Sequence, residues 1–211
     1  SQRTISSLRL ENIRNRISPH FIFNVLNQEM GSREGEKKKE LSALVKLMRR
    51  NLELAEQMCI TLAEELEFVQ TYIELQRRSL GPLFKLVVKV GEDVDTGQLI
   101  LPSMLIQIPV ENAVKHALLN KEGERCLWID IYRSGTYVCV KITDNGGGFK
   151  LNSGNRGTGT GMKVIMQTIQ ILNAKNKDMI ETAVRNVTLP NGETGCEVSF
   201  HLPSNYDYSV L

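Results

Sequence analysis

The spacing of apolar residues changes once along this chain, at Gly81-Pro82, and the change divides it into two kinds of structure. Before this point, apolar residues recur at three- and four-residue intervals, the spacing of one helix face. After it, residues 83–90 alternate as a half-buried strand does. The sequence therefore predicts a helical domain over 1–81, an α+β domain over 82–205 and a tail over 206–211.

The first domain is predicted to contain three amphipathic helices, over 1–30, 37–56 and 62–80. Thr61 and Glu64 match a capping box at the start of the third helix. A helical hairpin of this size has little interior of its own. Packing against a second copy buries the remaining apolar stripes in a bundle. We therefore expect a homodimer through the helical domain.

A histidine lies next to a proline inside the first predicted helix. Pro19 removes a backbone donor and bends the helix, and the apolar stripe changes sides there. His20 and Asn24 remain on a polar strip, so the amide can orient the imidazole from one turn away. A neutral imidazole is a good nucleophile near neutral pH. The alternative is a surface histidine on an amphipathic helix.

The chain after Pro82 is predicted to contain a run of strands with separate helices. The strands cover 83–90, 126–133, 137–143, 179–189 and 196–202, and the helices cover 103–119, interrupted by Pro109, and 162–173. A loop with Gly91 and Gly97 leads to residues 99–102 before the first of these helices. This order is typical of an α+β two-layer sandwich.

Charge and cysteine usage argue against several classes of protein. The net charge is +2, without the basic excess of a nucleic-acid binder. The four cysteines form no CxxC pair, which argues against a zinc site or a disulfide framework. No apolar run is long enough to span a bilayer. The chain opens at Ser1 in a helical pattern, so we expect a fragment of a longer protein.

Four polar residues share one face of the helix that follows Pro109: Glu111, Asn112, Lys115 and His116. The carboxamide oxygen of Asn112 is a hard ligand that suits Mg²⁺, which binds proteins through few groups together with phosphates. Lys115 and His116 can then meet those phosphates. A solvated helix face is the alternative explanation.

Two glycine-rich stretches follow. Asp144 ends a predicted strand before Gly146–Gly148, which places an acceptor for an adenine amine where backbone can approach a flat ligand. Gly157–Gly161 opens a helix whose N–H groups favour anions. Each stretch alone also fits an ordinary glycine turn, and the second is neither a phosphate loop nor a dinucleotide fingerprint. In this order, metal helix, aspartate and glycine lid form one nucleotide-binding assembly.

This assembly resembles the Bergerat (GHKL) ATP-binding fold, with an N-box at 111–116 and glycine boxes at 144–148 and 157–161. The stretch Ser18–Asn27 is similar to the phosphoacceptor signature of LytS/YehU-type sensor histidine kinases. The resemblance implies autophosphorylation with ATP and Mg²⁺ in a homodimer, followed by transfer to a response-regulator aspartate. It also implies a parent protein with an upstream sensor region in the bacterial inner membrane and a kinase core that faces the cytoplasm.

The resemblance also implies a role for each matched residue. His20 is the phosphoacceptor, Asn24 and Glu111 are further catalytic residues, and Asn112 is the metal ligand. The nucleotide-binding residues are Asn112, Lys115, His116, Asp144, Gly146, Gly148, Gly157, Thr158, Gly159, Thr160, Gly161, Met162 and Cys196.

Two positions depart from the pattern of the family. Phe21 stands where the commonest histidine kinases carry an acidic residue, as is usual in the LytS-like branch, which leaves Glu111 as the candidate general base. Cys196 follows Gly195 where the family tends to have threonine. A thiol is a weaker donor than a hydroxyl, which leaves two alternatives: reduced adenine affinity, or a backbone contact that survives the change. The alternative function is a GHKL ATPase or pseudokinase whose helices form only a dimeric scaffold.

Overall fold

The computed structural model describes residues 35, 39, 42, 46, 57–148 and 160–209. The helix predicted over 1–30, with its histidine, lies outside these residues. The helix predicted over 37–56 is described only at residues 39, 42 and 46, each of which is helical. No helix among the described residues has the length and apolar character needed to cross a membrane.

Five of the strands form one sheet in the order β2-β4-β5-β7-β6, and β1 pairs with β3 separately. The strands are β1 (Cys59–Thr61), β2 (Phe84–Val90), β3 (Ile100–Pro102), β4 (Arg125–Ser134), β5 (Tyr137–Asp144), β6 (Glu181–Thr188) and β7 (Thr194–Pro203). Only β2 and β4 pair in parallel within the five-stranded sheet. The five strands predicted from the sequence are therefore confirmed, with ends shifted by one or two residues, whereas β1 and β3 were not predicted.

The helices pack on one face of this sheet, which confirms the predicted α+β two-layer sandwich. They are α1 (Leu62–Leu80), α2 (Gln107–Ala113), which continues into a π-helical turn over Val114–Leu118, and α3 (Thr160–Asn173). The core forms where alternate strand residues face the helices, as Ile129 and Ile131 do on β4. Their neighbours Asp130 and Tyr132 lie on the opposite face and are partly exposed.

The capping box predicted for α1 is present. The Glu64 N–H donates to Thr61 Oγ1 at 3.2 Å, and the Thr61 N–H donates to Glu64 Oε1 at 3.1 Å. At the other end, Gly81 has a φ of 82° and its N–H donates to the Arg77 carbonyl. Local sequence alone therefore specifies both ends of this helix.

The predicted domain boundary at 81/82 assigns α1 to the helical domain, and in the structure α1 packs against the sheet. Tyr72, Ile73 and Leu80 of α1 are at most 1% exposed and belong to the core that also contains Leu127 and Val140 of the sheet. The segment 57–61 is joined to this body as well, since β1 pairs with β3. The sandwich therefore begins near residue 57.

The sequence predicts that Pro109 interrupts a helix over 103–119, and the structure shows that this is wrong. The helix begins at Gln107, so Pro109 lies in its first turn, where a missing N–H costs no intrahelical bond. The irregularity comes later, in the π-helical turn, where the Leu119 N–H donates to the Val114 carbonyl five residues back.

Residues 206–209, the described part of the predicted tail, bond to residues at the end of α3. The Tyr206 hydroxyl donates to Asn173 Oδ1 at 2.6 Å, and the Asp207 N–H donates to Asn176 Oδ1 at 2.9 Å. Tyr206 and Tyr208 also pack against the core. The segment is thus fastened to the end of α3.

Candidate functional site

A cavity opens between α2, the end of β5 and the start of α3. The space between its walls, together with the open solvent at its mouth, amounts to about 470 Å³. Its walls are formed by Pro109, Asn112, Ala113, Ala117, Asp144, Gly148, Met162, Val184, Cys196 and Val198. The fold therefore brings together residues from all three predicted motifs, with apolar side chains between them.

Asp144 is the buried carboxylate of this cavity and is 5% exposed. It is the last residue of β5, and its Oδ1 accepts the Gly146 N–H at 2.8 Å. A carboxylate fixed by its own turn and surrounded by apolar walls is a strong acceptor for a ligand amine.

Two glycines let the turn after Asp144 pass close to its neighbours. A Cβ on Gly146 would lie 2.4 Å from the Ala117 Cβ of the π-helical turn. Gly148 has a φ of +75°, and a Cβ there would lie 2.8 Å from Thr194 Cγ2. Gly148 lines the cavity, whereas Gly146 is not among its lining residues.

Asn145, which the sequence analysis did not single out, holds the same turn against the sheet. It is 2% exposed, its Oδ1 accepts the Cys126 N–H at 2.8 Å, and its Nδ2 donates to the Glu124 carbonyl at 3.0 Å. Nearby, Lys121 Nζ lies 2.9 Å from Glu193 Oε2, and its hydrogen bond is the main cause of the lowered pKa of Glu193. The sequence signal for the role of Asn145 is its position directly after the aspartate that ends the strand.

The N-box helix presents only part of its polar face to the cavity. Asn112 lines it, together with Ala113 and Ala117. Lys115 and His116 lie in the π-helical turn and are half-buried, but they are not among the residues that form the described cavity wall.

Glu111 is also absent from the described cavity wall. Its Oε1 accepts a hydrogen bond from Gln107 Nε2 at 2.9 Å. Burial raises the pKa of Tyr72 on α1, and the charge of Glu111 raises it further. Glu111 therefore lies at the junction between α1 and α2, one residue before the cavity-lining Asn112.

The second glycine box is described only from its end. Gly157, Thr158 and Gly159 lie outside the described residues, as do His20 and Asn24. Thr160 begins α3. The next residue, Gly161, packs closely against Ile108 of α2, since a Cβ at Gly161 would lie 2.9 Å from Ile108 Cγ2. Met162 then lines the cavity and is 4% exposed.

The residue before Cys196 has a structural role that its sequence context did not reveal. Cys196 pairs with Asp144 in the β5–β7 register and lines the cavity. A Cβ on Gly195 would lie only 1.9 Å from the Asp144 carbonyl oxygen, so no other residue fits there without a backbone shift. Gly195 therefore allows the two strands to meet beside the buried carboxylate.

The donor set fits an adenine nucleotide and Mg²⁺. Pro109, Val184 and Val198 offer apolar surface for a flat base, and Asp144 offers a buried acceptor at its edge. Asn112 contributes one hard oxygen, and no cluster of three or more His, Cys, Asp or Glu residues occurs in the described part of the chain. Such a site suits Mg²⁺, which one or two protein oxygens hold together with nucleotide phosphates.

Comparison with known proteins places these features in a family. The family model described as histidine kinase matches residues 8–83. The chain is 30% identical over 150 residues to the sensor histidine kinase/phosphatase LytS of Staphylococcus aureus strain Mu50, covering 69% of this chain and 25% of that protein. It is 26% identical over 147 residues to the sensor protein LytS of Staphylococcus epidermidis, covering 68% of this chain and 24% of the relative. The chain thus spans about a quarter of the length of these curated relatives.

A solved structure is similar in fold to this chain. It is the histidine kinase domain of the Erythrobacter litoralis EL346 blue-light activated histidine kinase, with a TM-score of 0.52 at 18% sequence identity. The match covers 96% of this chain and 94% of that one. At this identity the likeness shows the fold alone, which agrees with the α+β sandwich described above.

Proposed function

Since the chain belongs to the LytS-type histidine kinases, we propose that it is a kinase core that phosphorylates its own His20 with ATP. The phosphoryl group then passes to an aspartate of a response regulator. The observation that carries this proposal is the cavity in which Asp144 and Asn112 share apolar walls with Met162 and Cys196.

The residues of the cavity divide the recognition of the nucleotide between them. Asp144 accepts the exocyclic amine of adenine, while Val184 and Val198 pack against the faces of the base. Asn112 would hold Mg²⁺, which neutralises phosphate charge when bound. Lys115 and His116 meet the phosphates from the π-helical turn, and Gly157–Gly161 closes over them as a lid.

The chemical step is an in-line displacement on the γ-phosphorus. A lone pair of the neutral His20 imidazole forms the N–P bond while the bond to the β,γ-bridging oxygen breaks, and that electron pair leaves with ADP. Asn24 orients the imidazole from one turn away. Glu111 takes up the imidazole proton, and Gln107 Nε2 holds the Glu111 carboxylate at 2.9 Å.

In this proposal the helical domain holds two copies of the chain together. Residues 1–56 form the homodimer and present His20, whereas the nucleotide domain begins near residue 57. A receiver domain of a response regulator is the second partner. The parent protein carries an upstream membrane sensor region, with this core on the cytoplasmic side of the bacterial inner membrane.

Incubation with γ-labelled ATP and Mg²⁺ tests the proposal directly. We expect an acid-labile, alkali-stable label on His20 that is absent from His20→Ala, with unchanged nucleotide affinity in that variant. His116 and His201 serve as internal controls in peptide mapping. Label on either of them, or ATP hydrolysis without protein label, would contradict the assignment, and the second outcome would favour an ATPase with a helical scaffold.

A further inference from the structure

Among the residues that the structure describes, Glu65 of α1 carries a fully buried carboxylate that bonds backbone N–H groups outside the nucleotide cavity. Its side chain is 0% exposed. It accepts the Met104 N–H at 3.1 Å through Oε2, and the Ile106 and Gln107 N–H groups at 3.2 and 3.0 Å through Oε1. A buried charge is costly unless hydrogen bonds satisfy it, and here three backbone donors do so.

These donors belong to the turn that starts the N-box helix. The first N–H groups of a helix have no intrahelical acceptor and carry partial positive charge, so a carboxylate there is favourable. Met104 has a φ of 71°, an uncommon conformation for a residue with a side chain. The bond to Glu65 fixes this turn, and α2 starts directly after it at Gln107.

Two glycine backbones pack closely against α2 and the π-helical turn that continues it. A Cβ on Gly161 would lie 2.9 Å from Ile108 of α2, and a Cβ on Gly146 would lie 2.4 Å from Ala117. Because the Gly146 backbone packs against Ala117 and the Gly161 backbone packs against the Ile108 side chain, a shift of the helix by a few tenths of an ångström changes the cavity wall.

We propose that Glu65 is a positioning residue that fixes the N-box helix, and with it the metal-binding Asn112, relative to α1. The inference rests on the proposed function for the role of Asn112. Glu65 bonds the Gln107 N–H, and the Gln107 side chain bonds Glu111, so the same carboxylate also orients the candidate general base. The α1 helix follows the segment that leads from the helical domain. A displacement of α1 therefore moves Asn112 through the hydrogen bonds of Glu65 to the start of α2.

The test compares Glu65→Gln with Glu64→Gln in the full chain. The neighbouring Glu64 bonds Thr61 in the capping box at the other side of the helix start, and glutamine also suits that position. In Glu65→Gln, the new NH₂ group cannot accept, so at least one backbone donor loses its partner. Glu65→Asp, which keeps the charge but is one methylene shorter, provides a second variant should the first not fold.

Two measurements read the outcome. Hydrogen exchange of the Met104, Ile106 and Gln107 amides should accelerate by about tenfold or more in Glu65→Gln, while the sheet stays protected. The Mg²⁺ concentration for half-maximal nucleotide binding should rise by about 10- to 100-fold, the usual effect of losing a residue that orients a metal ligand. Glu64→Gln should change neither quantity.

Two results would overturn the proposal. One is a uniform rise in amide hydrogen exchange over the domain in Glu65→Gln, together with an unchanged Mg²⁺ requirement. A residue that only stabilises the fold would behave in this way. The other is exchange at the three amides equal to that of Glu64→Gln. If the wild-type chain binds no Mg²⁺-nucleotide, the proposed function fails, but the exchange data still decide whether Glu65 fixes the helix.

Discussion

Replacing Asp144 by asparagine should separate nucleotide recognition from folding. The asparagine Oδ1 can still accept the Gly146 N–H that now binds Asp144 Oδ1 at 2.8 Å. The other position changes from an acceptor to an NH₂ donor, which then faces the amine of the base. The folded turn therefore keeps its hydrogen bond, while the ligand loses its acceptor.

The size of the effect follows from the hydrogen bond that is lost. A hydrogen bond to a charged group contributes about 1.5–3 kcal/mol, and each 1.4 kcal/mol is a factor of ten in Kd. We therefore expect affinity for ADP to fall by about 10- to 150-fold in Asp144→Asn. The free energy of unfolding should change by less than about 1 kcal/mol, because no volume is removed and the Gly146 bond persists.

Titration calorimetry with ADP and chemical unfolding of the same preparations measure both quantities. Asp130→Asn is the matched control, since Asp130 lies on the opposite face of the sheet, on β4, away from the cavity. It should bind ADP as the wild type does. Wild-type affinity in Asp144→Asn would refute the adenine assignment, and a large loss of stability would show that the carboxylate is needed for folding instead.

Three further perturbations test other parts of the site. Asn112→Ala should abolish Mg²⁺-dependent phosphorylation but weaken Mg²⁺-free ADP binding less than Asp144→Asn does, and a normal rate with Mg²⁺ would exclude Asn112 as the ligand. Gly195→Ala should lower the free energy of unfolding by about 1–3 kcal/mol and weaken ADP binding, because its Cβ would lie 1.9 Å from the Asp144 carbonyl oxygen. Gly97→Ala is the control, since a Cβ there would make an ordinary 3.5 Å contact. Equal stability of the two variants would contradict the reasoning. Burial raises the pKa of the Cys59 thiol to about 12. The contribution of this thiol to stability is therefore complete below the ordinary thiol pKa of 9.0 and is lost as pH rises towards 12. The stability of Cys59→Ser should fall less steeply with alkaline pH, and an identical pH dependence would argue against this titration.

The parts of the fold that depend on local sequence were predictable. Thr61 and Glu64 mark the start of α1, and Gly81 marks its end, because each acts within a few residues of the helix terminus. Asp144 and Asn112 were predicted as site residues from their motifs, and the structure places both at one cavity. These features needed no knowledge of which segments pack together.

The features that were missed depend on partners distant in the chain. Gly195 is required by the carbonyl of Asp144 on a neighbouring strand, and Asn145 is fixed by groups on β4. Glu65 occupies an ordinary position near a helix start, and only tertiary packing shows that its carboxylate is buried. The π-helical turn likewise has no signal in the helical periodicity of its residues.

The shared core of α1 and the sheet defines which segments can be exchanged between kinases of this kind. A chimera joined at residue 82 would set the α1 of one protein against the core of another, and Ile73 and Glu65 would meet foreign partners. A junction near residue 57 keeps that core intact and moves only the segment before β1. Recombination between such proteins should therefore preserve linkage between α1 and the nucleotide domain, while sensor and phosphoacceptor segments are inherited separately.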